Sequence, residues 1–295
     1  MPKTRSLWPF ACLLTSILAI VPSLCPLAGE YEAIGSLKET QRAAQQGSVE
    51  AQNNLGMIHR DGLGAARDYA EALKWFRLAA EKGSPEAQSN LAAMYRDGKG
   101  VEKSPAQAKE WFQKAADKGL AEAQLALGLM YRQERSSPES QRAAVDWLTK
   151  GAEQGLADAQ YALGLLLNDP ATPVRDDQQA LLWLRKAADQ EFPKAQTALG
   201  QMLADGNGVP RDAVQALMWF NLAVTQGDPA AAKKRKVLME SMSQEEIAKA
   251  QGLADKWLPP AMERLPTRPQ PPATEGGRAE IRREDPKPGM RKKSE

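Results

Sequence analysis

Four residue patterns recur in this chain at a fixed interval of 36 positions. Ala-Gln begins at Ala51, Ala87, Ala123, Ala159 and Ala195. Leucine stands at Leu55, Leu91, Leu127, Leu163 and Leu199. Alanine stands at Ala72, Ala108, Ala144, Ala180 and Ala216, and tryptophan at Trp75, Trp111, Trp147, Trp183 and Trp219. A period of this length marks a repeat architecture. Each unit is one supersecondary motif that cannot bury its apolar face alone and buries it against its neighbours.

Each unit reads as two helices, A and B. In the second copy, Ser84, Pro85 and Glu86 form a helix start: a capping hydroxyl, a proline at the first helical position and an acid near the positive helix end. Ala87, Leu91 and Tyr95 follow at spacings of four, on one face. Helix B starts at Ser104, where Gln107 at the third position predicts a capping box. Asp68 with Glu71, Asp176 with Gln179 and Asp212 with Gln215 repeat that spacing, whereas Ser140 is followed by Ala143 and the box is broken. Ala108, Trp111, Phe112 and Ala115 form the apolar face of helix B, so the tryptophan column is expected to fill the core between helices. Gly47, Gly83, Gly119, Gly155 and Gly227 fall where a left-handed helix end suits glycine, and Glu191 takes that place in the fourth copy.

These readings give an all-α chain: a right-handed α-solenoid of five 36-residue helix-turn-helix repeats with helical caps. The repeats are 48–83, 84–119, 120–155, 156–191 and 192–227. Residues 29–47 read as an N-terminal capping helix, and 228–258 as two C-terminal capping helices that include the Ser243–Glu246 box. From 259 to 295, eight prolines and many charges predict a disordered tail.

Residues 1–28 carry the layout of a secretory signal peptide. Lys3 and Arg5 precede a charge-free run of 15 residues, Leu7 to Val21, and small residues follow. A membrane span needs about 20 apolar residues, so the run is short for an anchor. An uncleaved anchor is the alternative. Cys12 and Cys25 are the only cysteines; Leu24 is too large to precede a lipid-modified Cys25, and cleavage near Ala28 would leave no thiol. Formal charge is +2 over the whole chain, with +2 in the first 28 residues, +3 in the last 37 and −3 in the body between. That balance does not point to nucleic acid. A membrane enters only through an uncleaved signal or the basic tail.

The stretch "AQSNLAAMYRDGKGVEKSPAQAKEWFQKAADKG" resembles a unit of the Sel1-like repeat family, relatives of the tetratricopeptide repeats. The family pattern is A-x-x-x-L-G-x-x-Y-x-x-G-x-G-V, then a cap, A-x-x-W and A-A-x-x-G. Copies one, two and five keep nearly all of it. Copies three and four lack both loop glycines, and His59, Leu167 and Leu203 replace the tyrosine. The resemblance covers about residues 30–258. It implies a scaffold that binds other proteins and, in bacteria, often an exported envelope protein. A cysteine-rich branch has been linked to β-lactam binding; its cysteines are missing here.

The chemistry-bearing candidates reduce to one surface. Gly62-Leu63-Gly64, Gly98-Lys99-Gly100 and Gly206-Asn207-Gly208 lack the third glycine and preceding strand of a dinucleotide fingerprint, with Arg67, Lys103 and Arg211 in its place. They read as corners between helices A and B. His59 is the only histidine and sits in a repeat slot, without partners for metal or nucleophilic chemistry. Ser-x-x-Lys and Gly-x-Ser-x-Gly are absent. No catalytic residue, cofactor or metal is therefore expected, and the chain reads as a non-enzyme. In related solenoids helix A lines the concave side. There Arg60, Arg96 and Arg132, continued by Asn168 and Ala204, form a column suited to gripping carboxylates of a partner protein or peptide. Asn53, Ser89, Leu125, Tyr161 and Thr197 form a variable column beside it, where specificity can sit. The competing readings are arginines paired with Asp61 and Asp97, a scaffold associated with cell wall or polysaccharide, and a weak β-lactam hydrolase.

Overall fold

The computed structural model describes residues 37–134, 137–257 and 259. The signal peptide and nearly all of the predicted tail lie outside them. Among the described residues there are thirteen α-helices and no strand. Helix α1 (Leu37–Gln45) precedes five A–B pairs. These are α2 (Val49–Asp61) with α3 (Tyr69–Glu81), α4 (Pro85–Asp97) with α5 (Pro105–Asp117), and α6 (Ala121–Gln133) with α7 (Pro138–Glu153). They continue as α8 (Ala157–Leu167) with α9 (Asp177–Ala188) and α10 (Pro193–Asp205) with α11 (Ala213–Thr225); α12 (Pro229–Met239) and α13 (Gln244–Lys256) close the stack. Each A helix packs on its own B helix and on the B helix before it, and α12 and α13 both pack on α11.

Caps set the helix starts. Ser48 and Ser84 accept the N–H groups of Ala51 and Ala87, and Asp68, Asp176 and Asp212 do the same for their B helices. Of the predicted capping boxes one forms fully and four are half made. A reciprocal box forms at Ser243–Glu246, where the Glu246 carboxylate accepts from the Ser243 N–H at 2.8 Å. At Ser104 and the three aspartates only the cap side chain accepts; an aspartate cap brings its own anion to the helix end and does not need the second one. In the third copy the cap is Ser137, not Ser140: its Oγ accepts from the Ser140 N–H, Pro138 takes the first turn, and α7 starts three residues early. Leu120, Leu156 and Phe192 precede α6, α8 and α10 without a side-chain cap, and pack against the core instead.

Glycine ends each B helix in the left-handed region, at φ between 85° and 94° for Gly47, Gly83, Gly119, Gly155 and Gly227. Glu191 holds the same corner at φ 60°, a conformation that costs a side-chain-bearing residue roughly 1–2 kcal/mol.

The core corrects one expectation. Trp183 and Trp219 are buried as expected, but Trp75, Trp111 and Trp147 are only half-buried; in every copy the residue after the tryptophan is enclosed, Phe76, Phe112, Leu148, Leu184 and Phe220, none above 2 % exposure. Four of these side chains lie where helix A has no Cβ to oppose them; in the second repeat Ala92 takes the glycine's place. A Cβ on Gly56 would stand 2.5 Å from Phe76, one on Gly128 2.7 Å from Leu148, one on Gly164 2.6 Å from Leu184 and one on Gly200 2.8 Å from Phe220. The glycine after the A-helix leucine is thus the socket for the B-helix knob. Burying each knob stabilises the stack by about 1.5–3 kcal/mol. The tryptophans serve as lids over that seam. Lys114, Lys150 and Lys186 lie 4.0, 3.7 and 4.0 Å over Trp111, Trp147 and Trp183, and only Trp183 and Trp219 are buried.

A second column is polar. Gln52, Gln88, Gln124, Gln160 and Gln196 are buried in the seams between units. Each Nε2 donates to the carbonyl eight residues earlier, Ala44, Ala80, Ala116, Ala152 and Ala188, at 3.0–3.3 Å. Those carbonyls belong to helix ends, where each accepts the N–H three residues on in place of the usual i+4 donor and has a lone pair left for the glutamine. From the third copy on, the amide oxygens of this column accept in turn from Gln154, Gln190 and Gln226. The Ala-Gln dipeptide therefore ties each unit to the last turn of the one before.

Candidate functional site

The A-helix face carries both predicted columns, and the structure treats its two halves differently. In the first two repeats the arginines are engaged. Arg60 donates to both carboxylate oxygens of Asp61, at 2.8 and 2.6 Å, and to Asn90 Oδ1 at 2.9 Å. Asn90 Nδ2 in turn donates to Asn53 Oδ1 at 2.9 Å. Arg96 donates to both oxygens of Asp97, at 2.8 and 3.2 Å. The hydrogen bond from each arginine holds the carboxyl of Asp61 and Asp97 below the usual range. Each guanidinium also lies 5.9 Å over a knob ring, Phe76 or Phe112. Asn53 is buried, and Ser89 is half-buried.

Arg132 differs because its surroundings change. Gln133 stands where Asp61 and Asp97 stand, and Leu148 replaces the aromatic knob. Glu134, the next acid along the chain, accepts from Lys109 at 2.8 Å and Ser140 at 2.9 Å, which hold its carboxyl low. Among the described residues the Arg132 guanidinium makes no hydrogen bond or ion pair. It lines a groove with Leu165, Asn168 and Thr172. Asn168 occupies the next position of the arginine column, and its buried Oδ1 has no donor among the described residues.

The groove continues along the A helices. Leu165 and Asn168 pass it to Tyr161, Ala198 and Gln201; Gln201 and Lys234 pass it to Ala204, Phe220 and Val237. Neighbouring A helices meet directly beneath it, α6 with α8, α8 with α10 and α10 with α12. Of the variable column, Leu125 and Tyr161 are half-buried. Thr197 is buried and donates its hydroxyl to Asp228 at 2.6 Å. Tyr161 stacks edge-on against Phe192, with centroids 5.4 Å apart. Burial pushes its phenol pKa up, Arg132 opposes that shift and Asp228 adds to it, so the ring sits between the two charges.

The other candidates find structural uses. The second loop glycine gives room to the preceding unit: a Cβ on Gly100 would stand 2.5 Å from the Tyr69 carbonyl, and one on Gly208 would overlap Asp177. Repeats three and four turn without glycines, Asp169 accepting from the Ala171 N–H at 2.9 Å in the fourth. His59 keeps its repeat slot, with a buried Nδ1 that has no partner among the described residues. Among the described residues no three His, Cys, Asp or Glu side chains are placed to hold a metal, and no helix is long and apolar enough to cross a membrane. What the sequence reading missed is the groove at the C-terminal end. One legible signal was the change from Arg-Asp to Arg-Gln at the third repeat; another was the unbroken Lys233 to Lys236 run in α12.

A family model described as Sel1 repeat matches five consecutive segments, 49–84, 85–120, 121–156, 157–192 and 193–228. No curated protein sequence matches the chain. Among solved structures, c5321, described as a protective antigen present in uropathogenic Escherichia coli strains and displaying an SLR fold, is 36% identical with a TM-score of 0.69. That match covers 78% of this chain and 51% of c5321, so the chain spans about half the length of that neighbour. A Sel1 repeat protein from Oxalobacter formigenes is 24% identical with a TM-score of 0.64, covering 77% of this chain and 96% of that one, a likeness of fold.

Proposed function

Because the chain belongs to the Sel1 repeat family, whose members are generally non-enzymatic scaffolds for protein–protein interaction, we propose that it is an exported scaffold of a bacterial cell envelope. It binds a protein or peptide segment on the A-helix face. The mechanism is presentation: a stack of packed helices holds side chains in fixed register, so a partner meets a surface already ordered and less entropy is lost on binding. The observation that carries this reading is the contrast along one face. In the first two repeats Arg60 and Arg96 are paired with Asp61 and Asp97, while Arg132 makes no hydrogen bond or ion pair and Asn168 Oδ1 has no donor among the described residues. Export is supported by the positive, then apolar, then small-residue layout of positions 1–28, and a bacterial setting by the resemblance to the Escherichia coli protein.

Three measurements test it. Cell fractionation is expected to recover the protein with the envelope or periplasm; recovery in the cytoplasm alone would remove the export reading. Crosslinked capture from an envelope extract is expected to yield a defined protein. Retention on purified wall material, with no protein captured, would replace this reading with a glycan-associated one. A chromogenic β-lactam is expected to stay intact.

A further inference from the structure

Resting on that scaffold reading, we infer that the groove over α6, α8, α10 and α12 takes an extended acidic segment of a protein, and that the arginines of the first two repeats take no part. Charge is the first reason. Arg132, Lys194, Lys233, Lys234 and Arg211 line the groove, and none of them makes an ion pair among the described residues. The acids along it already have donors. Asp228 accepts from Thr197 at 2.6 Å and from the Ala230 N–H at 2.8 Å. Asp205 accepts from Gln201 at 2.7 Å with both oxygens. Asp169 caps its own turn. Those neutral donors leave the three carboxylates charged, but five cations outnumber them and the groove is net positive, a field that favours acidic chains over basic ones.

The floor is the second reason. Leu165, Ala198 and Val237, the last 68 % exposed, lie among those cations along the groove and provide apolar rests between the charges. Length is the third. Four A helices set side by side at about 8–10 Å span roughly 25–30 Å, and at about 3.3 Å per residue that accommodates eight or nine extended residues.

The exclusion of the first half follows from geometry. Arg60 and Arg96 already give both arms of their guanidinium fork to Asp61 and Asp97. A partner carboxylate would have to displace an adjacent, tethered one. Arg132 has no such competitor among the described residues.

The test uses the purified full-length protein and a fluorescein-labelled glutamate–leucine decapeptide, with a lysine–leucine decapeptide and phosphatidylglycerol vesicles as the other probes. Anisotropy is expected to show binding of the acidic peptide that weakens as salt rises. The Arg132→Glu, Lys234→Glu double variant is expected to weaken it about tenfold or more, with Arg132→Gln, Lys234→Gln intermediate and a helical circular dichroism spectrum retained. The Arg60→Glu, Arg96→Glu pair is expected to leave binding within about twofold. Equal binding of the basic peptide, binding to vesicles but not to peptide, or an equal loss in the Arg60→Glu, Arg96→Glu pair would each overturn the inference. A protein captured through the A-helix face despite failure of the acidic peptide would overturn only this inference. Failure of that capture as well would overturn the scaffold reading.

Discussion

At the scale of single residues, the stack depends on positions that have no side chain and on one polar column. Gly164 leaves room for Leu184, and a methyl there would press into it at 2.6 Å. Gly164→Ala is expected to destabilise the protein by about 1–3 kcal/mol, as overpacking does, read as a lower urea midpoint. Gln196 is fully buried, and its amide satisfies the Ala188 carbonyl. Gln196→Leu removes that hydrogen bond and leaves the Ala188 carbonyl only the Glu191 N–H, at a cost of about 1 kcal/mol. Glu191→Gly works the other way. It relieves a left-handed corner and is expected to raise stability by about 1 kcal/mol. The Glu191 exception was legible from its place among five glycines. The roles of Gly164 and Gln196 were not, since the sequence shows that a residue recurs but not which neighbour it touches. For that reason the periodic tryptophans read as core throughout, which holds for Trp183 and Trp219 but not for Trp75, Trp111 and Trp147, beside which Phe76, Phe112 and Leu148 are the enclosed side chains.

At the scale of helices, caps and neighbouring charges decide where each element starts and how it responds to acid. Ser137→Ala is expected to cost about 1 kcal/mol through loss of the α7 cap. Ser140→Ala leaves that cap in place, and the comparison of the two melting temperatures checks the position. The spacing Ser140–Ala143 was read as a broken box because a box is a local pattern. Ser137-Pro138 gave the true start in the same few letters. Asp61 and Asp97 have folded pKa values below their unfolded ones, the hydrogen bonds from Arg60 and Arg96 being the main cause. Their contribution to stability is present above the unfolded carboxylate range, about pH 4, and disappears as pH falls through the folded values. Both carboxylates are partly exposed, so the effect is modest. The melting-temperature gap between wild type and the Asp61→Asn, Asp97→Asn variant is expected to close on acidification below about pH 4.

At the scale of the whole repeat array, neighbouring units share seams, and stability accumulates from unit to unit. The period of 36 made this architecture readable without any structure. It did not make the binding face readable, because the repeat averages over differences that matter there. Arg60, Arg96 and Arg132 form one column by sequence, yet two of them are bound by the next residue along the chain and the third is not. The groove belongs to the C-terminal half, where the A helices touch one another and α12 adds its lysines. The most direct check is site-specific photocrosslinking in cells, with a photoreactive amino acid placed at Ala198 in the groove or at Asp146 on the exposed side of α7. A discrete protein adduct from Ala198, weakened by Arg132→Glu and absent from Asp146, is the predicted result. Adducts of equal yield from both positions, or from Asp146 alone, would contradict a partner held on the A-helix face.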